Sequence, residues 1–164
     1  MAMKIPLQEA KERALEFMQK GYHCGPSVVH VMREAYGFDN EDLLWTCVAF
    51  AGGIAGYQAA PCGAVSASAV CLGLRHRCPP ADTQRAKRER LGARVDASHL
   101  VTSFIERFGT IACGDLLGLD FSEPGAYHAF LESGIWKDKC HKYVEFVIEK
   151  LYELDEKRSV AGAP

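Results

Sequence analysis

Apolar residues recur at helical spacing along most of the chain, and no segment sustains the period-two alternation of a half-buried strand. Leu7, Ala10, Ala14, Leu15 and Met18 predict a first helix over Leu7–Lys20, which Gly21 stops. Pro26 fits the first turn of a second helix, where its missing N–H costs nothing. That helix starts at about Cys24 and aligns Cys24, Val28, Val31 and Ala35. Asp39–Phe50 reads as a third helix with acidic residues in its first turn. The glycine-rich run AGGIAGYQAAP then turns the chain. Pro61 opens a helix rich in small residues, with Cys62 in its first turn and Cys62, Val65, Ala69 and Leu72 on one face. Such a helix packs closely against its neighbours, which predicts a central place for it.

A Cys-Pro-Pro loop leads into a long helix, broken near Gly92. Its second half is amphipathic through Leu100, Phe104, Ile105 and Phe108, and Gly109 stops it. Cys113 begins one or two further turns. Ser122 and Pro124 open a helix reaching to about Ser133, ended by Gly134. The last helix, Trp136–Lys157, carries a stripe of Trp136, Cys140, Tyr143, Val144, Val147, Ile148, Leu151 and Leu154. The expectation is an all-α fold, a single-domain compact helical bundle of about six or seven helices over residues 1–158, with a frayed tail over 159–164.

Length and composition agree with this picture. The chain has 164 residues, 48% of them hydrophobic, and a formal charge of −2. That charge gives no global pull toward nucleic acid or an anionic membrane. No apolar run is of spanning length, so no membrane insertion is expected. The start, MAMKIPLQEAKERAL, lacks a signal peptide's apolar segment, which predicts a cytoplasmic protein. Seven cysteines in a reducing compartment point to reduced, catalytic or metal-bound thiols more than to structural disulfides.

Four of them, Cys24, Cys62, Cys113 and Cys140, sit where helices are expected to begin. There the backbone N–H groups and the helix dipole favour thiolate, which is both nucleophile and metal ligand. None of their spacings is that of a zinc finger or a Cys-x-x-Cys pair. Packing is the ordinary role of a buried cysteine and is expected for Cys47 and Cys71, while Cys78 beside two prolines reads as an exposed thiol. His23 and His141 adjoin two of the four cysteines and are weaker candidates as ligand or base. His30, His76, His99 and His128 have no partner at ligand spacing. Gly52, Gly53 and Gly56 lack the strand and the Gly-Lys-Ser/Thr of a phosphate loop, so they mark a tight turn beside the Cys62 helix. The basic stretch of Arg75, Arg77, Arg85, Lys87, Arg88, Arg90 and Arg94 is a solvated face or a docking surface for an acidic redox partner. It lacks the interleaved aromatics of a nucleic-acid surface.

GYHCGPSVV, FAGGIAGYQAAPCGAVSASAVCLGL, ACGDLLGLD and KCHKYVEFVIEKLYEL together resemble the redox-active protein family named for its cysteine pattern, C_GCAxxG_C_C. The resemblance runs from about Gly21 to Leu154. Matched position by position, the family's four cysteines fall on Cys24, Cys62, Cys113 and Cys140, and its Cys-Gly-Ala-x-x-Gly begins at Cys62. Ala67 stands where the motif has its last glycine, a one-methyl departure that suggests looser packing. The resemblance implies a redox protein whose four cysteines form one site. Two chemistries fit: an iron–sulfur cluster or other thiolate-bound metal carrying electrons, or thiol/disulfide exchange between pairs. The dispersed spacing leans toward the cluster. The alternative is a non-catalytic helical binding protein with buried structural cysteines, associated with a membrane transport system. A homodimer is compatible with either.

Overall fold

The computed structural model describes residues 3–160, among which there are seven α-helices, one 3-10 helix and no strand. The α-helices are α1 (Leu7–Gln19), α2 (Cys24–Tyr36), α3 (Gly63–Arg75), α4 (Thr83–Phe108), α5 (Cys113–Leu117), α6 (Ala126–Ser133) and α7 (Ile135–Val160). The 3-10 helix, Glu41–Phe50, lies between α2 and α3. The fold is all-α, as the periodicity predicts. No helix among the described residues is long and apolar enough to cross a membrane.

Ala10, Ala14 and Met18, four apart, bury one face of α1 against α2 and α7. α2 is buried nearly all round, with Val28, Val29, Val31, Met32 and Ala35 fully enclosed, and it packs on α1, α3, α7 and the 3-10 helix. α3 lies against α2, α4, α7 and the 3-10 helix, so both helices are central. Val144, Val147, Ile148 and Leu151 complete the core from α7. Removing each such side chain from water contributes about 1.5–3 kcal/mol. Phe104, fully buried, meets Phe108, Tyr143 and Phe146 at centroid distances of 4.7, 5.7 and 5.7 Å, in the tilted and edge-on arrangements that aromatic quadrupoles favour.

Several elements differ from expectation. The third helix is 3-10 rather than α: Asn40 Oδ1 accepts the Asp42 N–H at 2.9 Å, and Cys47 and Phe50, three apart, turn inward. Ala69 of α3 is exposed, and so is Ile105 of α4. α4 runs unbroken through Gly92. That glycine gives the His76 ring room, since a β-carbon there would stand 2.8 Å from His76 Cε1. α6 begins at Ala126, because Gly125 takes φ +79°, outside the right-handed helix. The preceding Ser122–Gly125 forms turns, with Asp120 Oδ1 accepting the Ser122 N–H at 2.9 Å. Of the expected frayed tail, Ser159 and Val160 are helical, and residues 161–164 lie outside the described residues.

Candidate functional site

The four cysteines selected by helix position line one cavity of about 390 Å³. Cys24 is the first residue of α2 and Cys62 the N-cap of α3. Cys113 opens α5, a helix of 5 residues. Cys140 lies in the second turn of α7, which begins at Ile135, one residue before the expected Trp136, so it sits within the first turns and not at the helix start itself.

A short antiparallel contact between Pro61 and Ala112 brings the second and third cysteines side by side. The Cys62 N–H donates to the Ile111 carbonyl at 2.6 Å, and the Cys113 N–H to the Ala60 carbonyl at 3.0 Å. Gln58 fixes the same loop to the chain after α5, donating to the Leu119 carbonyl at 2.8 Å and accepting from the Phe121 N–H at 2.6 Å. The Tyr143 hydroxyl donates to the Leu116 carbonyl at 3.1 Å, tying α5 to α7. Gly52, in the tight turn the sequence predicts, forms part of the cavity wall.

Cys24 and Cys62 form an asymmetric pair. The Cys62 thiol donates to the Cys24 sulfur, which holds the Cys24 pKa below that of an ordinary thiol against the opposing effect of burial. The backbone N–H groups of Gly25, Ala64 and Cys24 add to the same effect. The Ala64 amide belongs to the first turn of α3, whose N-cap residue Cys62 makes no side-chain cap. The Cys24 sulfur takes that capping role, and α3 in turn stabilises its negative charge. The Cys62 pKa is pushed well up, first because its proton is held by Cys24 and then by burial. Burial, and then the charge on Cys24, raise Cys113 to about 12 and also push Cys140 up. Of the four thiols, Cys24 is therefore the most acidic, and the other three are held toward the protonated form.

The sequence profile described as "Putative redox-active protein (C_GCAxxG_C_C)" matches residues 22–154, well over half of the chain. The chain belongs to the C_GCAxxG_C_C family. No curated protein and no solved structure matches it.

The C_GCAxxG_C_C motif now has a physical reading. A β-carbon on Gly63 would collide with the Phe50 carbonyl oxygen and stand 2.8 Å from Cys24 Sγ. Only glycine after Cys62 lets the Cys24 sulfur lie against the start of α3. Gly25 meets this approach from the other side, where a β-carbon would stand 3.1 Å from the Cys47 carbonyl oxygen. Ala67, at the motif's final glycine position, is fully buried.

His23 also lines the cavity. Burial lowers its pKa, and its Nε2 stands 3.4 Å from the Tyr127 hydroxyl. His141 does not line it: its ring packs edge-on to Trp136 at 5.3 Å, and its Nε2 is buried without a hydrogen bond. Cys47 and Cys71 are core residues, and burial raises Cys47 to about 11 and pushes Cys71 up further. Cys78 is partly buried, outside the cavity. Within the basic stretch, Arg75 pairs with Asp155, and Lys87, Arg88, Arg90 and Arg94 are exposed on α4. Among the described residues, no three Cys, His, Asp or Glu side chains converge as the ligands of one metal ion.

Two features lie beyond the sequence reading. The cavity walls include Tyr22, Tyr127, Trp136 and Tyr143. Of these, Trp136 and Tyr143 were legible, since they lie four positions before and three after Cys140 on the α7 stripe. The second feature is His76, whose Nδ1 lies 2.9 Å from Glu89 and whose Nε2 lies 2.8 Å from Asp96, with Arg158 also 2.8 Å from Glu89. It ties α3, α4 and α7 together away from the cavity. Glu89 and Asp96 are seven apart on one helix face, but nothing local links that face to His76.

Proposed function

We propose that the chain is a thiol/disulfide redox protein in which Cys24 attacks and Cys62 resolves. The observation that carries this reading is the sulfur of Cys24 resting on the N-terminus of α3, with the Cys62 thiol as its hydrogen-bond donor. In reaction with a disulfide, the Cys24 thiolate bonds to one sulfur, the substrate's S–S bond breaks, and one thiolate leaves. Cys62 then gives up its proton and attacks the Cys24 sulfur. The second substrate thiolate leaves, and two protein thiols have become one disulfide while the substrate disulfide has become two thiols. Cys113 and Cys140, with raised pKa values, stay protonated in the same cavity and stand as a second pair able to take over the disulfide.

Mixed-disulfide trapping tests the assignment. Cys62→Ser is expected to accumulate a covalent adduct on Cys24, and Cys24→Ser to form none. Adduct formation that is unaffected by Cys24→Ser refutes the reading.

A specific observation also supports an iron–sulfur cluster: all four cysteines line the one cavity, and a cluster offers each thiolate its own iron, so the sulfurs need not meet at a point. Stoichiometric iron and acid-labile sulfide in anaerobically purified protein, with visible absorbance lost in Cys113→Ser and Cys140→Ser, select the cluster. Their absence, with the adduct above, selects the dithiol.

A further inference from the structure

The cavity over the sulfurs has a chemical character of its own. Among the described residues, no Asp, Glu, Lys or Arg lines it. Lys139, next to Cys140 in sequence, turns its ammonium onto the Leu116 and Leu117 carbonyls instead. The Tyr143 hydroxyl is spent on the Leu116 carbonyl, so that residue offers its ring. Burial favours the neutral form of His23, which with the Tyr127 hydroxyl forms the polar edge. Gln19 adds one neutral amide, and most of the remaining wall is aromatic or aliphatic, with the Tyr127 ring, Trp136, Leu117 and Leu131. At about 390 Å³ the space suits one small ring-bearing molecule.

A charged group entering this space gives up water and meets no charged side chain beyond the Cys24 sulfur, which repels an anion. A flat neutral ring gives up little water and gains aromatic faces. We infer that the reaction partner of the Cys24–Cys62 pair is a small, uncharged, aromatic electron acceptor, of the aryl disulfide class, and not a charged peptide-like thiol compound. The inference rests on the dithiol reading and adds the substrate class to it. In the first step the Cys24 thiolate bonds to one sulfur of the aryl disulfide and an aryl thiolate leaves. In the second, Cys62 loses its proton to solvent and attacks Cys24, and the other aryl thiolate leaves. Two electrons pass from the protein thiols to the acceptor.

Two aryl disulfides of like reactivity and opposite charge character provide the test: neutral 4,4′-dithiodipyridine and the dianion 5,5′-dithiobis(2-nitrobenzoate). The reduced full chain carries Cys78→Ser in every sample, because Cys78 is partly accessible and outside the cavity. The rate ratio, neutral over dianion, is measured on folded protein and on the same protein unfolded in urea. Folding is expected to raise the ratio by about tenfold or more. An unchanged ratio overturns the substrate class and leaves the dithiol reading standing, provided Cys24→Ser abolishes the fast reaction. A fast reaction that survives Cys24→Ser overturns both. A second variant reads the wall charge directly. Leu131 is 43% exposed at the rim, so Leu131→Lys is compatible with the fold. It is expected to speed the dianion several-fold relative to the neutral probe. Equal effects on both probes overturn the inference.

Discussion

Cys24 owes its character to neighbours that belong to other segments of the chain. Its thiolate is favoured first by the Cys62 thiol and then by backbone donors, so its folded pKa lies below that of the unfolded chain. Reactivity therefore persists below the ordinary thiol range and falls only as pH drops through the lowered folded value. Cys62→Ala removes the largest contribution. Its expected effect is an upward move of the alkylation midpoint at Cys24, measured by iodoacetamide modification against pH, with a slower reaction at neutral pH. A midpoint that stays in place shows that the backbone N–H groups alone set the pKa. Gly63 permits this arrangement sterically. Gly63→Ala forces a methyl group against the Phe50 carbonyl and the Cys24 sulfur. The expected result is a loss of about 1–3 kcal/mol in urea unfolding, together with slower alkylation at Cys24. The sequence already placed a glycine after Cys62, but what that glycine makes room for is a residue far away along the chain.

At the level of elements, local pattern carried most of the information. The bounds of α1 and the start of α2 follow from Ala10, Ala14 and Met18 and from Pro26, because hydrophobic period and caps act within a few residues. Gly92 shows where this stops. Glycine inside a helix reads as a break, yet α4 is continuous, and the glycine serves the ring of His76, the residue that caps the end of α3. The same close approach explains why His76 looked partnerless: Glu89 and Asp96 reach it only after α3 and α4 pack. A thermodynamic cycle tests this. His76→Ala leaves two carboxylates without their ring partner and is expected to cost about 1–3 kcal/mol. Gly92→Ala alone presses a methyl group on the ring and also destabilises. With His76 already alanine, that methyl group has space, and replacing a mid-helix glycine is expected to recover about 0.5–1 kcal/mol. A Gly92→Ala effect of the same sign and size in both backgrounds refutes the steric coupling.

At the scale of the whole molecule, the site is built from segments that no local pattern connects. Helix position and family resemblance picked out Cys24, Cys62, Cys113 and Cys140, and the fold places all four on one cavity. Which two pair most closely was not legible, since it depends on the starts of α2 and α3 meeting at Gly25 and Gly63. That contact has a global consequence. Linking Cys24 to Cys62 closes a loop of about 38 residues, and the chain-entropy relation assigns such a closure about 4 kcal/mol of stabilisation, acting on the unfolded state. The oxidised protein is expected to unfold at a higher urea concentration than the reduced protein, with the difference lost in both Cys24→Ser and Cys62→Ser. Because stability and redox equilibrium are linked, whatever the disulfide adds to the fold also lowers the pair's reduction potential, by about 30 mV for each 1.4 kcal/mol. A stability gain well short of that estimate therefore goes with a less reducing, more easily reduced pair. Urea midpoints and a redox titration on the same two forms check each other. An oxidised form no more stable than the reduced one, at a strongly negative potential, breaks the linkage and excludes Cys24–Cys62 as the disulfide that forms.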